Sequence, residues 1–582
     1  QRGAMQYSDS THQVRPPWRA PSSAGATEAA TAMHETIPAD KWCVTGADLK
    51  HLQKSVKSAI RKQVIQPPED GRDDFLMVDQ VYGPSIYTVN EQYIKPITHF
   101  HGKMSWALMR NPMGLDCDMF ISHAWLEGIF EFLRKVLHSW PRGVRTAWCC
   151  MLANPQNLNI EAFLQSPSKS PFALALRASE VVLVVPNRHV SVYTRLWCAY
   201  EAYIADQEGK TILIAKSSNY HGIIFALLPM AVAALIGAML GSYARHHWHC
   251  ARQVTCVGGV AAVAAYNVRH NQCRMLLNLF CEMICFEKIM HWEPAFHWAK
   301  EWGFPWQVHC GAYVAFFATL AILFCQLEVD RVNAERTALE AEQLRKGYQG
   351  SIHYADCTQP EDAQRIRREI GCKSDVVDYA IDVLLSAGMS TPALRDIARE
   401  GVDIQRTAYS EVASSVVLLF PVDFITFTFA VVEAIYLRGS VLRILLSSIC
   451  ILERLLLAIL IYRRSIDERC FLLKVMDKIV AALLISFVGL CLLPTATMRK
   501  VSKIWVIGSN IGFALMIAFA VLGIRGTAKL PMGLCLLQFF FARGLTSCAA
   551  CTCQSWEAEP SYDQPSLRNC SDSESGSSKE TD

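Results

Sequence analysis

Hydrophobic residues are distributed along this chain in two regimes. Between residues 116 and 216 they form short runs separated by stretches of helical spacing; beyond residue 217 they merge into long runs with few charges. In the first regime Asp118–Ser122, Thr146–Leu152, Val181–Val185 and Thr211–Ala215 read as buried strands. Between them, Ile129, Phe130, Leu133, Val136 and Leu137 repeat at helical spacing across Glu127–Ser139, and Pro171–Arg177 reads as a short helix. A further helix carries Trp197 and Glu201, four residues apart and therefore on one face. Asn154-Pro155-Gln156-Asn157 and Pro186-Asn187 are loops. Strands alternating with helices predict right-handed crossovers and an α/β fold, a small parallel sheet covered on both faces. Ligands bind such sheets outside the carboxyl ends of the strands. The residues expected at that edge are Ser122, His123, Asn154, Asn187 and the early turns of the Glu201 helix.

Before this block, residues 1–39 are rich in Ser, Thr, Ala and Pro and are expected to be disordered. Residues 40–115 form an extension with a helix over Thr45–Ile65, opened by a Thr45/Asp48 capping box. Its apolar stripe is Leu49, Leu52, Val56 and Ile60, and Lys50, Lys54, Lys57, Arg61 and Lys62 crowd the other faces. Such a helix either lies on an anionic membrane or packs on the next domain with a solvated basic face. The second reading is favoured, because lysine-rich solvent faces are common.

The second regime predicts an α-helical, multi-pass membrane domain in two blocks, residues 217–327 and 411–545. Gly222–Gly241, Gln307–Leu327, Val412–Tyr436, Val441–Tyr462, Ile479–Leu493 and Trp505–Ile524 give about six spans. Val254–Val268 is apolar but short, and is expected not to cross fully. The polar insert 328–410 reads as helices only, with an apolar stripe of Val377, Ala380, Ile381, Leu384 and Leu385 suited to a small bundle or a docking surface. Residues 546–582 are polar and acidic, and are expected to be disordered. Arg463, Arg464, Arg469, Lys474 and Lys478 sit between two late spans, which places that loop, the insert and the α/β domain in the cytosol.

Composition supports a lipid bilayer as partner: 52 % of residues are hydrophobic and only 19 % charged, with a mean hydropathy of +0.18. A net charge of +3 gives no argument for nucleic acid. The 22 cysteines are spread through apolar runs and read as reduced thiols. Cys548, Cys551 and Cys553 are either palmitoylation sites or a chance cluster. His246, His247, His249, Cys250 and Cys256 lack paired ligand spacing, so no metal is expected. Asp423, Glu433, Arg443 and Glu453 are charges inside apolar runs, functional candidates unless they lie at helix ends or pair within the bundle.

Two motifs carry a resemblance. Asp118-Met119-Phe120-Ile121-Ser122-His123-Ala124 resembles the first-strand motif of Toll/interleukin-1 receptor (TIR) domains, which have a flavodoxin-like fold. Ser191-Val192-Tyr193-Thr194-Arg195-Leu196-Trp197-Cys198-Ala199-Tyr200-Glu201 resembles their third-helix motif. The resemblance spans residues 116–216 and implies a domain that either signals by self-association and recruitment of other TIR-like domains or cleaves NAD at the nicotinamide–ribose bond. Carried over, the catalytic carboxylate is Glu201, with Phe120, Ser122, Asn154 and Trp197 around the substrate. NAD would be a substrate, and no cofactor is implied. A carboxylate beneath the ribose stabilises the positive charge that builds as the bond breaks.

The expected function is a membrane-anchored signalling protein with a cytosolic TIR-like domain. Three readings stand beside one another: an NAD glycohydrolase, a non-catalytic interaction module, and a channel or transporter with a TIR-like regulatory domain. In the non-catalytic case Glu201 is an unremarkable carboxylate on an amphipathic helix whose core face is Trp197 and Cys198.

Overall fold

The computed structural model describes residues 23–243, 251–268, 270–293, 306–405, 441–492 and 495–541, with a few isolated positions between. The strands are β1 (Val44–Thr45), β2 (Met119–Ser122), β3 (Thr146–Cys149), β4 (Val181–Val184), β5 (Thr211–Ile214) and β6 (Met389–Ser390). They form one mixed sheet in the order β1-β3-β2-β4-β5-β6. The four central strands are parallel, in the positions the apolar runs predict. The antiparallel edge strands β1 and β6 are two residues each, too short to leave a period-two pattern in the sequence. Because β2 lies between β3 and β4, the winding reverses beside β2, the place at which such sheets are expected to hold ligands, outside the carboxyl ends of β2 and β4.

Helices in the part of the chain that builds the central strands include α1 (Ser23–Thr36), α2 (Gly46–Arg61), α3 (Ile86–Val89), α4 (Ile129–His138), α5 (Pro171–Ala178) and α6 (Leu196–Gln207). Helix α1 occupies part of the segment expected to be disordered, and the rest of that segment lies outside the described residues. Its alanines favour helix, Ala30 is buried, and the His34 ring accepts a hydrogen bond from the Ser105 backbone N–H at 3.2 Å. In α2 both halves of the Thr45/Asp48 capping box form, and Leu49, Leu52, Val56 and Ile60 are buried in the domain core, so the helix packs on the domain rather than on a membrane.

Four helices then carry the chain away from the sheet and back: α7 (Tyr220–Tyr243), α8 (Ala251–Asn267), α9 (Asn271–Met290) and α10 (Trp306–Arg345). Gly237 meets Met283 and Gly241 meets Glu287, so α7 and α9 run parallel, with α8 returning between them. Glu282 faces Cys325 and Asn278 faces Glu328, so α10 runs antiparallel to α9. A Cβ at Gly237 would lie 2.0 Å from the Met283 carbonyl oxygen, and one at Gly241 2.4 Å from that of Glu287. This is close packing of the small-xxx-small kind. Gly237→Val is expected to cost about 1–3 kcal/mol by overpacking. Gly311→Ala on α10, where nothing lies within 4 Å, is expected to be neutral; thermal unfolding in lipid nanodiscs compares the two.

The later helices are α11 (Pro360–Ile370), α12 (Ser374–Ala387), α13 (Pro392–Arg399), α14 (Val441–Arg463), α15 (Ile466–Leu492), α16 (Thr495–Ala528) and α17 (Gly533–Phe541). Among the described residues, three helices are long and apolar enough to cross a membrane: Tyr220–Tyr243, Tyr313–Arg345 and Ile511–Ala528. That is fewer than the six runs expected. Val412–Tyr436 lies outside the described residues, while α14 carries Arg443, Glu453 and Arg454 and the first half of α15 is charged. Asp423, Glu433, Cys548, Cys551, Cys553, His246, His247, His249 and Cys250 also lie outside the described residues.

The insert is joined to the sheet. Helix α10 continues unbroken through residue 328, where a boundary was expected, and its polar half is laced by Glu328–Arg331, Arg331–Glu335 and Arg336–Glu340 ion pairs. Leu344, Ile352, Ile366, Val377, Ile381 and Leu384 share one buried core with the sheet strands. The insert, expected to be helical throughout, also supplies β6. Buried Lys135 on α4 pairs with Glu131 at 3.0 Å and with Glu340 on α10 at 2.8 Å. Its ammonium also donates to the Pro186 carbonyl and to Gln343.

Candidate functional site

The carboxyl ends of the central strands meet in a closed polar cluster. Strand β2 ends on Ser122 and His123, β3 on Cys149 and Cys150, and β4 runs on to Asn187. Helix α6 starts beyond a turn at Tyr193 and lays Cys198 and Glu201 over this edge, both buried. Four of these residues, His123, Cys149, Cys150 and Cys198, are in contact with one another or with the loops. The His123 ring meets Cys150 Sγ at 3.2 Å and Cys149 Sγ at 3.6 Å through Nε2, and Glu127 at 3.4 Å through Nδ1. Cys198 Sγ reaches the His123 carbonyl at 3.7 Å, and Trp125 Nε1 donates to Cys150 Sγ at 3.3 Å.

Other groups have no partner. Among the described residues Ser122 Oγ, Asn187 Nδ2, Tyr193 OH and Glu201 Oε2 are buried without a hydrogen bond, and the Glu127 carboxyl group has no hydrogen bond beyond its 3.4 Å contact with His123. Asn187 is held by its other end, its Oδ1 accepting from the His189 and Val190 backbone N–H groups. Buried polar atoms left without partners cost about 1–3 kcal/mol each, so a concentration of them at one sheet edge calls for a reason.

The electrostatics follow from burial. Glu201 is 6 % exposed, and loss of water pushes its pKa up to about 8; the neighbouring Ser122 hydroxyl and the Arg195 charge oppose the rise. Glu127, fully buried, is pushed well above the usual carboxylate range by the same loss. Burial lowers His123 to about 3, so its ring is neutral. Burial raises the Cys150 thiol to about 12 and drives Cys149 and Cys198 upward too, which keeps all three protonated and poor nucleophiles. Burial thus favours the uncharged forms of Glu201, Glu127 and His123, while the charges of Arg195 and Lys135 oppose it at the two acids.

The structure brings Ser122 and Glu201 together, while the other expected site residues lie apart. Phe120 is fully buried and stacks on Trp148 at 5.2 Å. Trp148 meets Phe172, and Phe172 stacks on Trp197, again at 5.2 Å, so Phe120 and Trp197 are two members of an aromatic column between sheet and helices. Asn154 is buried at the end of the helical turn after β3. Tyr193 and Arg195 belong to the motif that singled out Glu201, yet their polar ends gave no signal in the sequence.

The crevice expected at this rim is not open to Glu201. Two clefts flank it. One, of about 740 Å³, is lined by residues including Tyr82, Leu126, Arg188 and His189; the other, of about 680 Å³, lies against Asp356, Cys357, Gln364 and Arg367. Glu201 lines neither. The cause is a strap from the insert. Asp356 exchanges backbone hydrogen bonds with Thr194 and Leu196, the Ser191 N–H donates to the Lys346 carbonyl, and Tyr348 lies against Tyr193. Tyr200 OH donates to Glu369 at 2.6 Å, fixing α6 to α11.

Among the described residues no group of three or more His, Cys, Asp or Glu is placed to hold a metal ion. No protein-family model, curated protein or solved structure matches this chain.

Proposed function

We propose that the sheet domain is a TIR-like module that hydrolyses NAD at the nicotinamide–ribose bond, with Glu201 as its essential carboxyl group. The apolar helices would anchor it as a multi-pass membrane signalling protein, with the module in the cytosol. The observation that carries the reading is Glu201: a buried acid with an unpartnered oxygen, at the carboxyl edge where the strand order reverses. Hydrolysis breaks the ribose C1′–N bond. Nicotinamide leaves with the bonding electrons, water adds at C1′ and releases a proton, and ADP-ribose is the second product. An ionised Glu201 near the ribose stabilises the oxocarbenium charge, which suits a low-dielectric site. The nearby Ser122 hydroxyl is placed to bond the ionised acid.

The test is nicotinamide release from NAD by the full chain in lipid nanodiscs, beside Glu201→Gln. Release by the wild type that is lost in the variant supports the reading; equal release by both overturns it. One observation favours a second reading, a non-catalytic module acting by self-association or recruitment of TIR-like domains: Glu201 lines neither flanking cleft. On that reading no nicotinamide appears at any protein concentration, and chemical crosslinking still captures assemblies of the chain.

A further inference from the structure

The strap between α10 and α11 lies along the turn that leads into α6. The Ser191 N–H donates to the Lys346 carbonyl at 2.7 Å, the Asp356 N–H to the Thr194 carbonyl at 2.9 Å, and the Leu196 N–H to the Asp356 carbonyl at 2.8 Å. Arg195 and Asp356 thereby pair as an isolated parallel bridge. Lys346 Nζ donates to the Arg188 carbonyl at 3.2 Å, and the Tyr348 and Tyr193 rings lie with centroids 6.1 Å apart. Leu196 is the first residue of α6, so the strap occupies the N-terminus of the helix that carries Glu201. In sheets of this kind that rim, with its free helix N–H groups, is where an anionic ligand docks. The strap fills the position with its own main chain.

The strap is lightly held. Between Lys346 and Gln359 only Ile352 and Ala355 are buried. Asp378 on α12 clamps its middle, accepting from the Ile352 N–H at 2.8 Å and from Tyr348 OH at 3.0 Å. Gly347 and Gly350 have φ of 83° and 81°, so the chain leaves α10 on two residues that bear a change of direction without strain. A segment fixed mainly by main-chain hydrogen bonds near the surface, with little buried apolar area, opens at a lower free energy than a core element. At the rim, Ser122 Oγ, Tyr193 OH and Glu201 Oε2 have no partner while the strap is in place, and they gain partners when water or a ligand enters.

We infer that residues 346–359 are an autoinhibitory cover. In place, the strap holds the turn Ser191–Arg195 against the carboxyl edge and keeps Glu201, Cys150 and Cys198 from solvent and ligand. Displaced, it frees the N-terminus of α6 and the unpartnered groups of the rim. The catalytic consequence rests on the proposed NAD cleavage; the closure of the rim does not, and the two are read separately.

The experiment treats the full chain in nanodiscs with N-ethylmaleimide and follows each cysteine by peptide mass spectrometry. Ile352→Ala trims the buried anchor. Asp356→Pro removes the N–H that bonds Thr194, and Ala355 already has the extended backbone that a following proline needs (φ −74°, ψ 140°). Tyr354→Ala, at a strap residue 66 % exposed, is the control. Cys150 and Cys198 are expected to label about tenfold faster in the first two variants than in wild type, and no faster in the control. Cys43, buried immediately before β1, is the internal reference and is expected to keep its wild-type rate throughout. Unchanged labelling of Cys150 and Cys198 overturns the cover. A matching rise at Cys43 overturns it too, because the whole domain has then loosened and the strap is part of its core. Nicotinamide release from NAD, measured on the same proteins, is expected to rise with the labelling. Faster labelling with no release from any of the proteins means that cleavage fails and the cover stands. Release from the wild type that neither variant raises, whatever the labelling, means that the strap does not inhibit, and the inference fails while cleavage stands.

Discussion

Replacing Lys135 by Met is expected to lower stability by about 3–5 kcal/mol. The ammonium is 1 % exposed and lies between Glu131 and Glu340. Removing it leaves carboxylates at two buried positions without their shared cation, and it also removes the donor to the Pro186 carbonyl and to Gln343. Charge stranded by deletion of a partner costs far more than an intact pair contributes. The triple variant Lys135→Met/Glu131→Gln/Glu340→Gln is therefore expected to recover much of the loss. Denaturant unfolding of the full chain in nanodiscs, followed by tryptophan fluorescence, measures both. A loss below about 1 kcal/mol for the single variant would mean that the contact between α4 and α10 is not a structural tie. The contact ties α10, which runs from an apolar stretch into the strap that pairs with the turn before α6, to the sheet domain.

Loss of the Glu201 carboxyl is expected to cut nicotinamide release by about 10²–10³ in kcat. Glu201→Gln is nearly isosteric, and because Glu201 is neutral near pH 7 the variant is expected to keep its fold. The pH dependence carries a definite sign. Burial raises the folded-state pKa of Glu201 to about 8, so the ionised, charge-stabilising form accumulates only toward alkaline pH. The kcat/KM for NAD is expected to rise roughly tenfold per pH unit below 8 and to level above it. Stability moves the other way. Between the unfolded carboxyl pKa and about 8 the folded chain binds more protons than the unfolded one. This contribution is fully present at acid pH and is lost as pH rises through 8. Wild type should thus become less stable relative to Glu201→Gln between pH 6 and 9, while its activity climbs. A flat activity profile over that range would contradict the role given to the acid.

The four central strands were legible because each is a short apolar run closed by a loop, and parallel strands buried on both faces leave that signature. Capping of α2 by Thr45 and Asp48 was legible for a similar reason, since the pattern is local. Strands β1 and β6 were not, because two-residue edges formed by distant segments leave no periodicity. The extent of the domain was also hidden. Leu344, Val377 and Leu384 complete the core of the sheet from a segment more than a hundred residues beyond β5, and nothing in a helical stripe says which surface it meets. The motifs named Glu201 and Ser122, and both lie buried at the carboxyl edge of the sheet. Phe120 and Trp197 belong to the same motifs but serve the aromatic column, because a strand or helix motif records packing and chemistry together. The closed state of the rim depends on the strap around Asp356, a contact that only the fold reveals.

The most direct measurement is a titration of the Glu201 carboxyl itself, by infrared difference between wild type and Glu201→Gln in nanodiscs. The protonated carboxyl band is expected to persist at pH 7 and to fade with a midpoint near 8. It is expected to shift to lower pH when carba-NAD, which keeps the pyridinium cation but resists hydrolysis, is bound beside it. A midpoint in the ordinary carboxylate range, unchanged by carba-NAD, would contradict a buried acid waiting for a cationic substrate.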